Sequence, residues 1–429
     1  MTITGDAVDV DPAPLRSPTA RTLRPTRTTW PIWAMTAGMP LAYLVGVQGL
    51  VWCLPAVVFG ARIWADRANV RFPRSSIALI LFLTWIFLSM AMIPTGTGFV
   101  LFAYRWLLFA GALTSLVWLV NVPERKVPSL QIIDWLAALW ICLVVFGYLG
   151  VLLPHFVQKS PFQIILGPIG NMGFVDEISR WRFAETQSAL TGSPLPRPAA
   201  PFNATNGWGA AIGILTPFFI RSWIVQPDLR RRRIGYVIGL AGVVPILVSV
   251  NRGLWISLGV ALVYYAARKA LRGKLGPFVV LIGTMVAVAG LLVITPAGKL
   301  VQDKIDNSTK SNDSRANLYS EAWHGALQSP LIGNGAPQRA PDADPKIPPV
   351  GTHGMLWYLM FVHGFVGMAL FLTWLGGEVL RSGRVRTADG WWTHLALVIG
   401  LVQVPFYGLL PQVVLFGIAA GLSHREDPA

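Results

Sequence analysis

The segment Val248-Ser249-Val250-Asn251-Arg252-Gly253-Leu254-Trp255 joins two long apolar runs, and its arginine stands at the joint. A charged group in or beside a membrane span is energetically costly, and it is typical of substrate pathways and binding sites rather than of packing. A second signal of this kind, Gly351-Thr352-His353-Gly354, stands about a hundred residues later at the start of another apolar run. These two segments are the strongest functional signals in the chain.

Composition indicates the class of protein. The chain is 54% hydrophobic and only 13% charged, whereas a soluble domain carries about 25% charged residues. Several apolar runs reach the roughly 20 residues that a helix needs to cross a bilayer. The sequence therefore predicts an all-α fold, a polytopic transmembrane helical bundle.

The apolar runs predict about twelve spans, or about ten if the short first and last pairs are bent or re-entrant segments. The predicted spans are 31–46, 48–61, 76–93, 99–120, 130–153, 206–224, 234–250, 253–267, 276–295, 354–378, 391–408 and 411–423. They form a single domain from 31 to 423, followed by a short tail, 424–429. Residues 1–30 are rich in proline and charge, which predicts a disordered cytoplasmic tail and excludes a signal peptide there.

The distribution of basic residues predicts the orientation. If the chain starts inside, the N-terminal tail and the short inner loops receive 23 of the 35 Lys and Arg residues. Short basic loops face the cytoplasm, so the sequence predicts that both termini lie inside. Most of the net charge of +15 reflects this rule and does not imply nucleic-acid binding.

Two large outer loops follow from this topology, 154–205 and 296–352. The second is predicted to contain a helix from Asp313 to Gln328, with Asp313 or Ser314 as its N-cap. Arg315 and Tyr319 are one turn apart and are predicted to share a face. Cys53 and Cys142 lie inside apolar runs, which predicts buried thiols rather than a disulfide framework.

Four polar residues in unusual positions all fall on the predicted outer face: Arg105, Arg252, Arg315 and His353. Guanidinium groups bind phosphate oxygens in a bidentate way, and a histidine can take a proton from a hydroxyl near neutral pH. The set suggests transfer of a group from a lipid-linked diphosphate to an acceptor hydroxyl. The outer regions hold no acidic cluster with clear metal-ligand spacing, so no metal or other cofactor is predicted. Each of the four also has a purely structural interpretation, such as snorkelling to headgroups.

Several motifs resemble the O-antigen ligase and polymerase superfamily. They are the stretch Val248 to Tyr264, the outer helix with Arg315, Tyr319 and Trp323, the Ser329-Pro330-Leu331-Ile332-Gly333 turn, Gly351 to Gly354, and the run from Arg197 to Gly209, which is similar to a subgroup. Their order and spacing match as well, and the resemblance covers about residues 30–423. The outer loop of roughly 55 residues is shorter than is common in the family.

The resemblance implies a metal-independent glycosyltransferase of the GT-C type, acting on polyprenyl-diphosphate-linked glycans outside the plasma membrane. It implies that Arg252 and Arg315 bind the diphosphate and that His353 acts on the acceptor hydroxyl. Arg105 is a further candidate for the diphosphate. Four residues are candidate supporting residues: Asn251, Tyr319, Asn206 and Trp208.

Several functions remain open at this level. A polymerase would lengthen lipid-linked repeat units of a surface polysaccharide, and this alternative is favoured because no docking surface for a large acceptor is evident. A ligase would move the glycan to a different lipid or protein. A transporter of lipid-linked glycan would need charge along the spans, where Asp134 is the main exception to an apolar interior. A scaffold would not need Arg252 or His353. Expected partners are the lipid-linked donor, an acceptor glycan, membrane lipid and other polysaccharide-assembly proteins, but no nucleic acid.

Overall fold

The computed structural model describes residues 24–93, 96–186, 196–276, 278–279, 281–283, 286, 290, 308–339, 349–385 and 387–426, without the side chains of 97 and 308–315. The described part is mostly helical and has almost no sheet, which confirms the helical character of the predicted fold. The helices are α1 (Trp30–Met35), α2 (Met39–Val45), α3 (Gly60–Ala65), α4 (Ser76–Ser89), α5 (Gly96–Asn121), α6 (Ser129–Leu152), α7 (Pro161–Ile165), α8 (Gly173–Ser179), α9 (Thr205–Phe219), α10 (Leu229–Val248), α11 (Arg252–Ala270), α12 (Ser308–Gln328), α13 (Met355–Ser382), α14 (Ala388–Gln403) and α15 (Val413–Arg425).

Four two-residue strands form two small antiparallel sheets. The first pairs β1 (Val157–Gln158) with β2 (Trp181–Arg182), and the second pairs β3 (Ala184–Glu185) with β4 (Arg197–Pro198). Both sheets belong to the loop between α6 and α9. They fold this loop back on itself, so that residue 197 returns to the helices.

Three described helices are long and apolar enough to cross a membrane by themselves: Gly98–Asn121, Ser129–Leu152 and Met355–Ser382. Shorter apolar helical stretches are Leu50–Ala65, Ser76–Met92 and Val413–Arg425. The predicted count of about twelve spans is therefore not confirmed. Helix α10 is less apolar because four arginines, 230–233, occupy its first turn. The predicted span 276–295 lies largely outside the described residues, as do residues 1–23 of the predicted tail.

The first predicted pair of spans, 31–46 and 48–61, is broken into short pieces, the alternative that the sequence left open. Helices α1 and α2 are separated by a turn at 36–38. A 3₁₀ helix, Leu50–Cys53, and a π-helix, Pro55–Phe59, precede α3. Proline has no N–H to donate and disfavours a helical residue before it, and Pro31, Pro40 and Pro55 fall in this region. These prolines limit continuous helix in the segment.

Helix α13 is kinked at Gly364, where φ is +72° and ψ is 177°. The turn 329–335 docks into the break. The N–H of Asn334 donates to the Phe361 carbonyl (2.9 Å), and that of Gly335 donates to the Val362 carbonyl (3.0 Å). Carbonyls released by a kink need other donors, and this turn supplies them.

Helix α12 begins at Ser308, so the predicted start at Asp313 is wrong. Asp313 and Ser314 lie inside the helix and cannot be its N-cap. The physical reason is that the run from 308 to 313 contains no glycine or proline, so its polar residues can continue the helix towards its N-terminus.

Contacts between element ends fall into two sets, which we call the site end and the opposite end. At the site end, Asn251 bonds to Thr205, and Met355 bonds to Tyr407. At the opposite end the pairs are Asn121 with Arg71, Arg221 with Asp389, and Arg425 with Leu119. The ends that the sequence assigns to one membrane face are thus in contact with one another. Which set faces the cytoplasm stays a prediction.

Two buried carboxylates at the opposite end, Asp134 and Glu378, have basic partners. Asp134 accepts from Arg231 at 2.8 Å and from Ser222 at 2.6 Å. Glu378 is fully buried and lies 3.0 Å from Arg381 and 3.3 Å from His424. The sequence analysis named only Asp134 inside the spans, so Glu378 is a correction. A carboxylate near the end of an apolar helix is tolerated because Arg381 of the same helix and His424 of α15 lie beside it.

Candidate functional site

Arg252 is the first residue of α11. Helix α10 ends at Val248, and the backbone then turns through Val250, whose φ is +44°. Asn251 is the N-cap of α11 and accepts a hydrogen bond from the N–H of Leu254 (3.5 Å). The positive end of the helix dipole and the charge of Arg252 therefore lie at the same place, an arrangement that favours binding of an anion.

The Asn251 side chain is buried and connects three elements. Its Nδ2 donates to the Thr205 carbonyl at the start of α9 (3.1 Å), and its Oδ1 accepts from the Tyr407 hydroxyl. A Cβ at position 209 would clash with this amide, so Gly209 allows α9 to approach. These contacts fix the position of the residue directly before Arg252.

His353 lies in a tight turn before α13, and it is partly buried. Gly351 and Gly354 flank it with φ of +82° and +86°, a region that favours glycine. The Thr352 hydroxyl donates to the Pro349 carbonyl (2.6 Å) and lies 3.0 Å from His353 Nδ1. Because this hydroxyl proton is used, its oxygen is the acceptor toward the ring. The contact favours the tautomer with the proton on Nδ1 and the lone pair on Nε2.

Tyr407 joins the Arg252 hairpin to the His353 turn. Its hydroxyl donates to Asn251, and its carbonyl accepts from the N–H of Met355 (2.6 Å), two residues after His353. The side chain is only 3% exposed. We call Tyr407, the Asn251 side chain and the Met355 N–H the Tyr407 junction. The structure thus bonds Tyr407 both to the residue before Arg252 and to a residue two positions after His353.

Helix α12 places residue 315 toward the same turn. The rings of Tyr319 and Trp357 stack at 4.5 Å between centroids, and Trp323 meets Phe365 edge-on at 5.5 Å. The two contacts run in the same direction along α12 and α13. One turn before Tyr319, position 315 therefore lies on the side of α12 nearest the His353 turn. The side chain of Arg315 is outside the described part of the chain.

The side chain of Arg105, on α5, contacts the first turn of α13. Its guanidinium carbon lies 5.4 Å from the centroid of the Tyr358 ring, a cation–π contact. The Tyr358 hydroxyl lies 3.5 Å from His363 Nε2, and His363 Nδ1 lies 3.1 Å from the Ser89 hydroxyl. Arg105 is thus connected to the helix that His353 precedes.

The two supporting residues predicted on α9 differ in environment. Trp208 is fully buried, and its indole N–H donates to the Leu143 carbonyl of α6 (3.0 Å), so it stabilises helix packing. Asn206 is partly buried in the first turn of α9. The next carbonyl, that of Gly207, accepts from Gln412 Nε2 (2.8 Å). Asn206 is thus the one of the two that keeps part of its side chain accessible.

The sequence analysis missed the roles of Arg197 and Tyr407. Arg197 is 6% exposed, and its Nε donates to the Ser249 carbonyl in the Arg252 hairpin (3.0 Å). Glu185, on the paired strand, accepts from the N–H of Thr205 (2.9 Å). The sequence did contain a signal for Tyr407, because this residue lies beside the tip of the last predicted hairpin, on the same predicted membrane face as Arg252. Such a pairing follows only from topology and not from a local motif.

The arrangement combines anion-binding and proton-accepting groups at one end of the bundle. Arg252 and the N–H groups of α11 can hold phosphate oxygens. His353 can accept a proton. Among the residues that the structure describes, no group of three or more His, Cys, Asp or Glu side chains has metal-binding geometry, and Cys53 and Cys142 are free thiols.

Comparison with known proteins gives one finding that bears on this site. Residues 237–372 match the family model described as O-antigen ligase. The match covers about a third of the chain and includes positions 252, 315 and 353, while Arg105, Arg197 and Tyr407 lie outside it. No curated protein matches the chain significantly.

Proposed function

We propose that this chain is a membrane glycosyltransferase. The proposal rests on residues 237–372, which match the O-antigen ligase family and support the O-antigen ligase and polymerase superfamily. The family implies transfer of a lipid-linked glycan to an acceptor glycan, and the apolar helices fit an integral membrane protein. In the proposed reaction, the donor is a polyprenyl-diphosphate-linked oligosaccharide and the acceptor is a sugar hydroxyl. The reaction takes place at the outer face of the bacterial plasma membrane.

The reaction follows from the chemistry of the named side chains. The acceptor hydroxyl oxygen attacks the anomeric carbon of the donor, and the bond from that carbon to the diphosphate oxygen breaks. The hydroxyl proton passes to His353, and the diphosphate leaves with the bonding electrons. Arg252 and Arg315 bind the diphosphate and stabilise its growing charge, with Arg105 as a further candidate. No step calls for a metal ion, since guanidinium groups provide the positive charge.

One observation carries the proposal, the Tyr407 junction. Arg252 and His353 are about a hundred residues apart in the sequence, yet their neighbours bond to the same tyrosine. A single site needs this proximity, because donor and acceptor must meet. The placement of residue 315 beside the His353 turn supports the same site.

A polymerase is favoured over a ligase in this proposal. The outer helix α12 packs along α13 through Tyr319 and Trp323, and the described residues of this loop form no separate acceptor domain. A second lipid-linked glycan, held by the same membrane, suits such a site. A transporter is less well supported, because the buried charges of Asp134 and Glu378 are paired at the opposite end.

The test uses purified protein in lipid nanodiscs with a polyprenyl-diphosphate oligosaccharide from the host. Mass spectrometry reads the products. We expect lipid-linked products that lengthen by whole repeat units, with and without EDTA, and no products from Arg252→Ala or His353→Ala. Arg272→Ala, exposed just beyond the other end of α11, and His155→Ala, exposed in the loop after α6, are the matched controls.

Three outcomes contradict parts of this proposal. Loss of product on adding EDTA, with recovery on adding a divalent cation, contradicts metal independence. An unchanged donor, which becomes a product only when a different lipid or protein acceptor is added, indicates a ligase. Full activity of both Ala variants refutes the proposed site.

A further inference from the structure

The segment 152–172, which follows α6, exposes large apolar side chains. Ile164 is 66% exposed and Ile165 is 82% exposed. Five more apolar residues of the segment are also exposed: Leu152, Leu153, Val157, Ile169 and Met172. A loop in water places such residues inside, so this surface calls for an apolar environment.

The polar side chains of the same segment are partly buried and partly exposed; the exposed ones are His155, Gln158, Lys159 and Asn171. Ser160 and Gln163 are buried and form a reciprocal cap at the start of α7. Gln163 Nε2 also donates to Asp176 (2.9 Å) and to the Gly170 carbonyl (3.1 Å). The segment therefore combines internally bonded polar groups with a surface of large apolar and a few polar side chains, a composition suited to the boundary between acyl chains and headgroups.

Ring contacts give the depth of the loop. Phe174 of α8 meets Tyr104 at 5.0 Å between ring centroids, and Tyr104 lies six residues beyond the start of the candidate span Gly98–Asn121, or ~9 Å along it. Phe183 meets Phe146 at 6.3 Å, and Phe146 lies six residues before the end of the span Ser129–Leu152. The loop therefore packs beside the terminal turns of these two spans at the site end, and it does not lie wholly beyond their ends.

The exposed surface is continuous with the spans. Leu152 is the last residue of α6. The side chain of Ser160 packs against Gly46 at the end of α2, where a Cβ would clash with it. Helix α12 in the other loop has a mixed exposed surface, with the polar residues Asn317 and Glu321 as well as Trp323 and Leu327.

We propose that segment 152–172 is seated in the membrane leaflet at the site end, with Ile164, Ile165 and Ile169 among the lipid acyl chains. The partner of this surface is the phospholipid bilayer. The predicted outer loop 154–205 then begins as an interfacial element, which sets the height of Arg197 and the Arg252 hairpin relative to the headgroups. The inference does not depend on the proposed reaction.

Site-directed spin labelling tests this placement. A label is attached to Ile165→Cys in a Cys53→Ala, Cys142→Ala background, in nanodiscs of phosphatidylcholine and phosphatidylglycerol. Leu81→Cys, exposed in the middle of α4, is the hydrocarbon reference, and Asn317→Cys on α12 is the water reference. We expect Ile165 to resemble Leu81, with a several-fold higher ratio of oxygen to nickel-chelate accessibility than Asn317.

Other results overturn the proposal. A nickel accessibility equal to that of Asn317 places Ile165 in water. Low accessibility to both reagents means that a second copy or another protein covers the surface. The native chain is tested in parallel with a photoactivatable phospholipid, and peptides from 152–172 should carry the label. Absence of labelled peptides from this segment, when α4 is labelled, also contradicts the placement.

Discussion

At the scale of single residues, Arg252 is predicted to act through its planar guanidinium and not only through its charge. Arg252→Lys keeps the charge but loses bidentate contact with phosphate oxygens. We expect kcat/KM for the lipid-linked donor to fall about tenfold or more, which corresponds to ~1.4 kcal/mol. Kinetics in nanodiscs measure this, and Arg272→Lys is the control. Unchanged kinetics would indicate that Arg252 only anchors the helix in the headgroups.

Tyr407 is predicted to position both reacting groups. Tyr407→Phe removes the hydrogen bond to Asn251 and frees the Arg252 hairpin from the His353 turn. We expect about a tenfold loss of kcat/KM and a loss of stability of ~1 kcal/mol. Tyr148→Phe is the matched control, because it removes a hydroxyl that bonds to the Ala241 carbonyl (2.8 Å) between α6 and α10. Equal losses of activity in both variants would mean that Tyr407 acts on stability alone.

At the scale of elements, the kink in α13 determines how the turn 329–335 docks. A Cβ at Gly364 would clash with the Leu331 carbonyl, and its φ of +72° disfavours other residues. We expect Gly364→Ala to lower the melting temperature and to reduce activity, because α12 and residue 315 are attached through this turn. Gly376→Ala, later in the same helix with open space around it, is the control. Thermal unfolding in nanodiscs measures the difference, and equal melting temperatures would contradict the docking role.

The loop between α6 and α9 is a second case in which elements decide the geometry. Its two short sheets return Arg197 to the Ser249 carbonyl, although the residue belongs to a Pro-rich stretch that predicts only a loop. The pairing of Glu185 with Arg197 along the strands aligns the start of α9 with the Arg252 hairpin. Sequence periodicity cannot predict such short strands, because two residues carry no alternating pattern.

At the scale of the whole molecule, the two ends have separable roles. Arg425 holds the C-terminal end of α5 by donating to the carbonyls of Leu119 (2.6 Å) and Val122 (2.7 Å), where positive charge is favourable. We expect Arg425→Ala to lower the melting temperature while the folded protein keeps its kcat/KM. Arg384→Ala, an exposed arginine at the same end, is the control. A loss of kcat/KM without a change in melting temperature would contradict this separation.

The sequence by itself determined the membrane class, the apolar helices and the two unusual polar signals. These follow from local physics, because the cost of a charge beside a span and the length of an apolar run are visible in consecutive residues. It predicted Arg252 and His353 as partners only through topology and resemblance. The start of α12 was misplaced because a polar run gives no clear helix boundary.

Only the tertiary structure decided that Tyr407 lies between these two signals, that Arg197 supports the Arg252 hairpin, and that Glu378 is buried among basic partners. Apart from the pair of Glu378 and Arg381 within α13, each of these contacts joins elements separated by tens to more than a hundred residues. Such contacts depend on how helices pack and kink, and close packing is a property of all the elements together. A residue such as Tyr407 therefore has no distinctive sequence signature, although its position in the fold connects the two strongest signals in the chain.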